Sequence, residues 1–225
     1  MSKSQKKSIS YGFIVYCHTT SRWLMVQRKH SVTFLNIMRG LYLIKDLPSL
    51  IPLLTEKEKK WIRKCCERDI YYFNRIFTKE VTECYNNFKF SYLQLSKNRE
   101  ILLREINKYK GPPGKLTWYW PKGKITKNDE DTFITAMREF KEEIEINFPK
   151  PCYISRNIIR ELLPTNYLQI ENKLWVCIYD KEFDIGKIMN NYEVNDKKWF
   201  SMKEVIENGV SKELLDMIIE SFTLS

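Results

Sequence analysis

Apolar and polar positions change their rhythm twice along this chain. Ser10–Cys17 and Trp23–Gln27 are dense in β-branched and aromatic residues and are predicted to be strands, joined by a polar turn through Thr19, Thr20 and Ser21. From about Ser31 that rhythm ends. Val32–Ile44 is apolar but irregular, and Pro48 and Pro52 break the chain. Thr55 followed three residues later by Glu58 reads as a capping box. The helix it opens is predicted to run to about Phe77, with Trp61, Cys65, Ile70 and Phe73 as apolar candidates. A second helical stretch is expected over 79–90. A third starts at Ser96 and continues through Ile101, Leu102 and Ile106 to Tyr109. Gly111-Pro112-Pro113-Gly114 then stops the helices abruptly.

Strand-like patterning resumes near Leu116–Trp120. Further strands are expected near Cys152–Ile158 and Leu174–Tyr179, with a short one at Lys197–Phe200. A turn is expected at 204–207, and a C-terminal helix over Ser211–Phe222 with Leu214, Leu215, Ile218 and Ile219 inward. Residues 1–8 are polar and Lys-rich and read as an arm. The organisation predicted is an α/β domain made of 1–30 and 113–225, with an all-helical domain, 31–112, inserted after its second strand.

One segment carries chemistry. Phe133, Met137, Phe140 and Ile144 recur at spacings of 4, 3 and 4, an apolar helical stripe. Glu139, Glu142 and Glu143 fall at i, i+3 and i+4 on the other side. Like charges stacked on one turn repel, and a hard cation such as Mg2+ or Mn2+ relieves that repulsion through oxygen ligands. From the triplet alone, a solvated acidic face on an ordinary amphipathic helix is the plainer reading; its flanks narrow the choice.

With Gly123, Glu130 and the run from Arg138 to Ile146, the segment resembles the Nudix hydrolase box. It departs twice: the loop from Gly123 to Glu130 is one residue longer than usual, and Glu145 stands where the box has a glycine. Trp118-Tyr119-Trp120-Pro121-Lys122-Gly123-Lys124 is similar to the lead-in of mRNA-decapping Nudix enzymes. Over most of the chain the resemblance is to the decapping enzymes of large cytoplasmic DNA viruses, the African swine fever virus type. It is strong only in 10–36 and 115–146. It implies a Nudix fold, an α/β/α sandwich around a mixed sheet.

The resemblance also implies roles. Gly123, through its carbonyl, and Glu139, Glu142 and Glu143 would hold Mg2+ or Mn2+. Arg138 would orient the carboxylates through Glu130. Lys122 and Lys124 would meet phosphates. Glu142 and Glu143 are catalytic candidates, and Glu193 is the first choice for general base, with Asp196 the second. Trp118 and Trp120 are expected in the core, and alternation leaves Tyr119 facing outward.

Charge distribution adds to this picture. The net charge is +10, yet 1–110 carry 22 Lys and Arg against 9 Asp and Glu, while 111–225 carry 16 against 19. An acidic centre in a chain with a basic half suits a polyanionic substrate. Lys57, Lys60, Lys64 and Arg68 fall at helical spacings and, with Arg63, form a candidate stripe for single-stranded RNA. Solubility of Lys-rich helices is the plainer reading of the same charges. The six cysteines form no zinc-ligand spacing, and no apolar run reaches membrane-spanning length. A cytoplasmic protein with reduced thiols is expected.

The function expected is metal-dependent decapping of capped mRNA, releasing m7GDP and 5′-monophosphate RNA. A diphosphoinositol polyphosphate or nucleoside diphosphate hydrolase is an alternative of the same class. A catalytically weak RNA-binding protein is the alternative of another.

Overall fold

The computed structural model of the chain describes residues 7–80, 88–156, 158–163, 169–189, 191 and 193–223. Along the chain, β1 (Lys7–Cys17) and β2 (Arg22–Arg28) precede α1 (Val32–Met38), the single turn α2 (Leu47–Leu50), α3 (Glu56–Glu67), α4 (Ile70–Glu80), α5 (Phe88–Lys97) and α6 (Arg99–Lys108). There follow β3 (Trp118–Tyr119), β4 (Lys122–Gly123), α7 (Thr132–Ile144), β5 (Tyr153–Ile154), β6 (Ile159–Leu163), β7 (Gln169–Tyr179), β8 (Val194–Ser201), α8 (Met202–Glu207) and α9 (Lys212–Thr223). Two compact units result. One is built from the segments that end at Arg28 and begin at Trp118, the other from Lys29–Thr117.

The first unit is a mixed sheet covered on both faces. β1 pairs parallel with β7 and antiparallel with β2 and β4. β2 also carries β3 and β8, and β7 carries β5 and β6, all antiparallel. Strand alternation sorts the core into two layers. Phe13, Val15 and Cys17 of β1 pack with Ala136, Phe140 and Ile144 of α7. Ile14 and Tyr16 pack on the opposite side with Val205, Leu215 and Ile218. Phe140 is fully buried, and its burial contributes roughly 2–3 kcal/mol. Gly12 permits a close crossing: a Cβ there would lie 2.1 Å from the Pro121 carbonyl oxygen. Through that gap the backbone N–H of Phe13 reaches the Pro121 carbonyl at 3.0 Å, so the 120–123 lead-in lies tight against β1.

The helical unit has its own core, in which Phe34, Ile62, Phe73, Leu95 and Leu102 are buried. The Thr55–Glu58 capping box is complete. Glu58 also accepts from Ser31 N–H at 2.6 Å and Ser31 Oγ at 3.0 Å, so one buried carboxylate fastens the starts of α1 and α3.

Several element boundaries differ from those expected. The helix predicted from Thr55 to Phe77 is two helices. Arg68 is extended, and Asp69 Oδ1 accepts from Tyr72 N–H at 3.0 Å to start α4. The stretch expected over 79–90 falls partly on 81–87, outside the described residues; α4 ends at Glu80 and α5 begins at Phe88. The strand expected over 152–158 is only the two residues of β5, and β7 begins five residues earlier than predicted. Residues 202–207 form a helix, not a turn, because Ser201 and Glu204 build a second capping box.

Candidate active site

α7 presents the acidic triplet. Asp131 caps its start by accepting from Ile134 N–H at 2.8 Å. The apolar stripe faces the sheet, which draws Glu139 and Glu143 to the edge of the buried zone and leaves Glu142 exposed. Glu143 is held from two sides. Tyr119 donates its hydroxyl to Oε1 at 2.7 Å, and the Lys122 backbone N–H donates to Oε2 at 2.9 Å. β3 and β4 thus clamp a carboxylate of α7. Tyr119 does not face outward as alternation implied. Its ring carries Arg28 and Lys122, each 4.7 Å from the centroid.

Gly123 lies against the Glu139 carboxylate so closely that a Cβ would come within 2.0 Å of its Cδ. Any side chain at 123 would displace the acid, so glycine here is a steric requirement of the site. Burial pushes Glu139 up to about 7 against the pull of Arg138, with Glu142 and Glu193 adding to the rise. Burial also raises Glu143, against the pull of the Tyr119 hydroxyl, while it lowers Lys122, which the neighbouring charge of Arg28 depresses further. Two buried carboxylates thus sit with less compensating charge than both need when ionised.

Arg138 organises the exposed side of the triplet. It reaches Glu139 Oε1 at 2.8 Å and Glu142 Oε2 at 2.9 Å. Its loop partner is Asp129, not Glu130: Nε meets Asp129 Oδ1 at 2.9 Å and Nη2 meets Oδ2 at 3.1 Å. The Asp129 side chain is nearly buried and also accepts from Thr126 N–H at 2.7 Å, whereas Glu130 is exposed. Counted to Asp129, the box loop has its usual length, and the additional residue falls between that acid and Arg138. Lys124 contributes its carbonyl to Arg138 at 2.8 Å, and its side chain is exposed.

The segment before β8 approaches the end of α7. Glu193 is exposed, and its charge raises both Glu139 and Tyr119, so its carboxylate acts on the acidic cluster. Asp196 is paired with Gln27 in the sheet and accepts from the N–H of its neighbour Lys197 at 2.8 Å. Lys197, Asn191 and Arg28 were not expected from the sequence. They are distant in the chain from the box, and no periodic signal marks them. Buried Lys197 donates Nζ to the Ile144 carbonyl at the end of α7, a favourable place for a cation.

In the helical unit Lys57, Lys60 and Lys64 are exposed on α3, and Arg68 follows its end. Lys57 lies over the Trp61 ring at 4.7 Å. Arg63 stands apart from them, bonded through Nε to Asn107 Oδ1 at 3.3 Å.

No protein-family model matches the chain. A provisionally named mRNA-decapping protein of Acanthamoeba polyphaga mimivirus is 28% identical over 226 residues, covering 85% of this chain and 62% of that protein. In sequence the chain is similar to this viral protein over most of its length. It spans less than two thirds of that relative's length. Among solved structures, the Nudix domain of Shewanella oneidensis NrtR, complexed with ADP-ribose, is similar with a TM-score of 0.44 and 11% identity, covering 96% of this chain and 87% of that one. A Caenorhabditis elegans Ap4A hydrolase gives 0.42 and 11%, covering 96% and 99%. In this chain the described sheet is mixed and lies between α7 on one face and the α8–α9 pair on the other.

Proposed function

We propose that this protein is a metal-dependent mRNA-decapping pyrophosphohydrolase. It would cleave within the cap triphosphate, releasing m7GDP and 5′-monophosphate RNA. The observation that carries the reading is the buried Glu139–Glu143 pair, pressed against the Gly123 backbone and clamped by the Pro121-Lys122-Gly123 lead-in. The mimivirus relative supports the choice of RNA as substrate.

Among the described residues, no three His, Cys, Asp or Glu side chains converge as a ready-made cage. The donor chemistry nevertheless fits a hard divalent ion. The candidate ligands are all oxygens, and Glu139 and Glu143 are buried carboxylates whose pKa burial raises. Glu139, Glu142, Glu143 and Gly123 would hold Mg2+ or Mn2+. When bound, such an ion neutralises phosphate charge and polarises the phosphoryl oxygen.

The remaining chemistry belongs to side chains. Glu193 takes a proton from the attacking water. The water oxygen bonds to a phosphorus of the triphosphate as the bridging P–O bond breaks, and that electron pair leaves with the departing phosphate. Lys122 and Arg28, both over the ring of Tyr119, the donor to Glu143, would bind phosphate oxygens. Lys57, Lys60, Lys64 and Arg68 would track the RNA backbone.

The test is incubation with cap-labelled RNA and Mg2+ or Mn2+, with free cap dinucleotide and diphosphoinositol pentakisphosphate in parallel. Release of m7GDP from RNA is the expected result. Turnover of the inositol compound alone would sink the decapping reading, and binding without product would favour a transcript-shielding role. Independently of turnover, Mn2+ should raise the melting temperature of the wild type, because a ligand that binds only the folded state stabilises it. The rise should disappear in the Glu139→Gln/Glu143→Gln protein.

A further inference from the structure

We propose that Asn191 is a positioning residue that holds Glu193 against the end of the catalytic helix. The inference rests on Glu193 as the base of the reaction proposed above. Asn191 Nδ2 donates to the main-chain carbonyl of Glu142 at 2.6 Å. Its Oδ1 accepts from the backbone N–H of Glu193 and of Val194, each at 2.9 Å. A single amide group therefore joins the last turn of α7 to the residues that open β8. Asparagine suits this place because its short side chain offers donor and acceptor from one planar group.

The carbonyls at the end of a helix have no partner within it. Here two of them are served from the same neighbouring segment. Asn191 takes that of Glu142, and Lys197 Nζ takes that of Ile144. Glu145, the residue in place of the box glycine, accepts from Met189 N–H at 2.8 Å through Oε2. Glu142, Ile144 and Glu145 are thus each bonded by a residue between 189 and 197. The departure from glycine supplies one of these ties. Glu193 sits inside the fastened stretch, and its charge acts on Glu139 and Tyr119 across the site.

The test compares full-length wild type with Asn191→Ala, Asn191→Asp, Glu193→Gln and the Asn191→Ala/Glu193→Gln pair on capped RNA. Asn191→Ala should lower kcat by about tenfold or more while KM stays within about twofold, the signature of a misplaced catalytic group rather than lost binding. In the Glu193→Gln background the same change should have no further effect, because residues acting through one another are non-additive. Losses that simply add would overturn the proposal, as would a wild-type rate for Asn191→Ala. Full turnover of Glu193→Gln would overturn it through the base assignment, a separate failure. An activity-independent reading comes from amide exchange. Asn191→Ala should speed exchange at the Glu193 and Val194 N–H groups while core amides are unchanged, and Asn191→Asp, which keeps the acceptor oxygen, should leave both protected. Unaltered exchange in Asn191→Ala would also overturn the tie.

Discussion

Glu145 occupies a backbone conformation that side chains avoid, with φ 58° and ψ 27° at the C-terminal cap of α7. The left-handed region costs an L-residue about 1–2 kcal/mol, which is why a glycine is the usual solution. Glu145→Ala and Glu145→Gly both lose the Met189 contact and differ in how well they tolerate this φ. Glycine should therefore be the more stable of the two by about 1 kcal/mol in denaturant unfolding. Equal stabilities would mean that the backbone relaxes. Tyr119 invites a second measurement. Tyr119→Phe keeps a ring beneath Arg28 and Lys122 but leaves Glu143 Oε1, now buried, without its donor. An unsatisfied buried acceptor costs about 1–3 kcal/mol, so the melting temperature should fall and turnover with it, while KM stays near that of the wild type. A raised KM with kcat unchanged would assign Tyr119 to substrate binding. The box acids were legible because helical spacing places them on one face. Asp129, Tyr119 and Asn191 were not, because their partners lie 9, 24 and 49 residues away and are chosen by loop geometry that no local period encodes.

At the scale of elements, α7 was the most legible. Its apolar stripe repeats with the helical period, and its core contacts are the ones that stripe implies. The break between α3 and α4 leaves no mark in the apolar pattern because apolar residues continue through it, and the stop is made by the extended Arg68 and the Asp69 side chain. The start of β7 is hidden from the strand pattern because Gln169–Lys173 are mostly polar. They form strand all the same, since β1 pairs with them in parallel from Lys7 to Tyr11 and β6 pairs on their other side. The six residues of α8 show too little period to stand out as a helix; its capping box is the signal that identifies it. That cap gives a pH prediction. The Lys198 ammonium and the Ser201 hydrogen bonds hold the Glu204 carboxyl down at about 2. A lowered carboxylate pKa contributes stability that is complete above the unfolded value near 4.5 and is lost as pH falls through about 2. Glu204→Gln should therefore lower the melting temperature at pH 7 and converge with the wild type towards pH 2. A constant difference across that range would show that the cap acts through geometry and not through charge.

For the whole molecule, the division of labour is written in charge as much as in fold. The acidic cluster belongs to the unit built on the mixed sheet, while 1–110, which include most of the helical unit, carry 22 Lys and Arg against 9 Asp and Glu. Each of the two units has a core of its own, built on helices in one and on the mixed sheet in the other. Whether the basic helices serve RNA is a question about salt. Each phosphate neutralised on single-stranded RNA releases condensed counterions, so log Kobs falls with log salt by roughly 0.7 per contact. Lys57, Lys60, Lys64 and Arg68 are exposed, and their ammonium and guanidinium groups can reach a backbone without rearrangement of the core. Changing all four to Gln should reduce the magnitude of that slope by up to about 3 and weaken binding equally for capped and uncapped RNA, since phosphate contacts carry no information about the cap. Arg63, already bonded to Asn107, should change the slope less than any of the four. A slope unchanged in the quadruple variant would return these lysines to the role of keeping a helical surface in water, and RNA affinity would then have to come from the sheet unit alone.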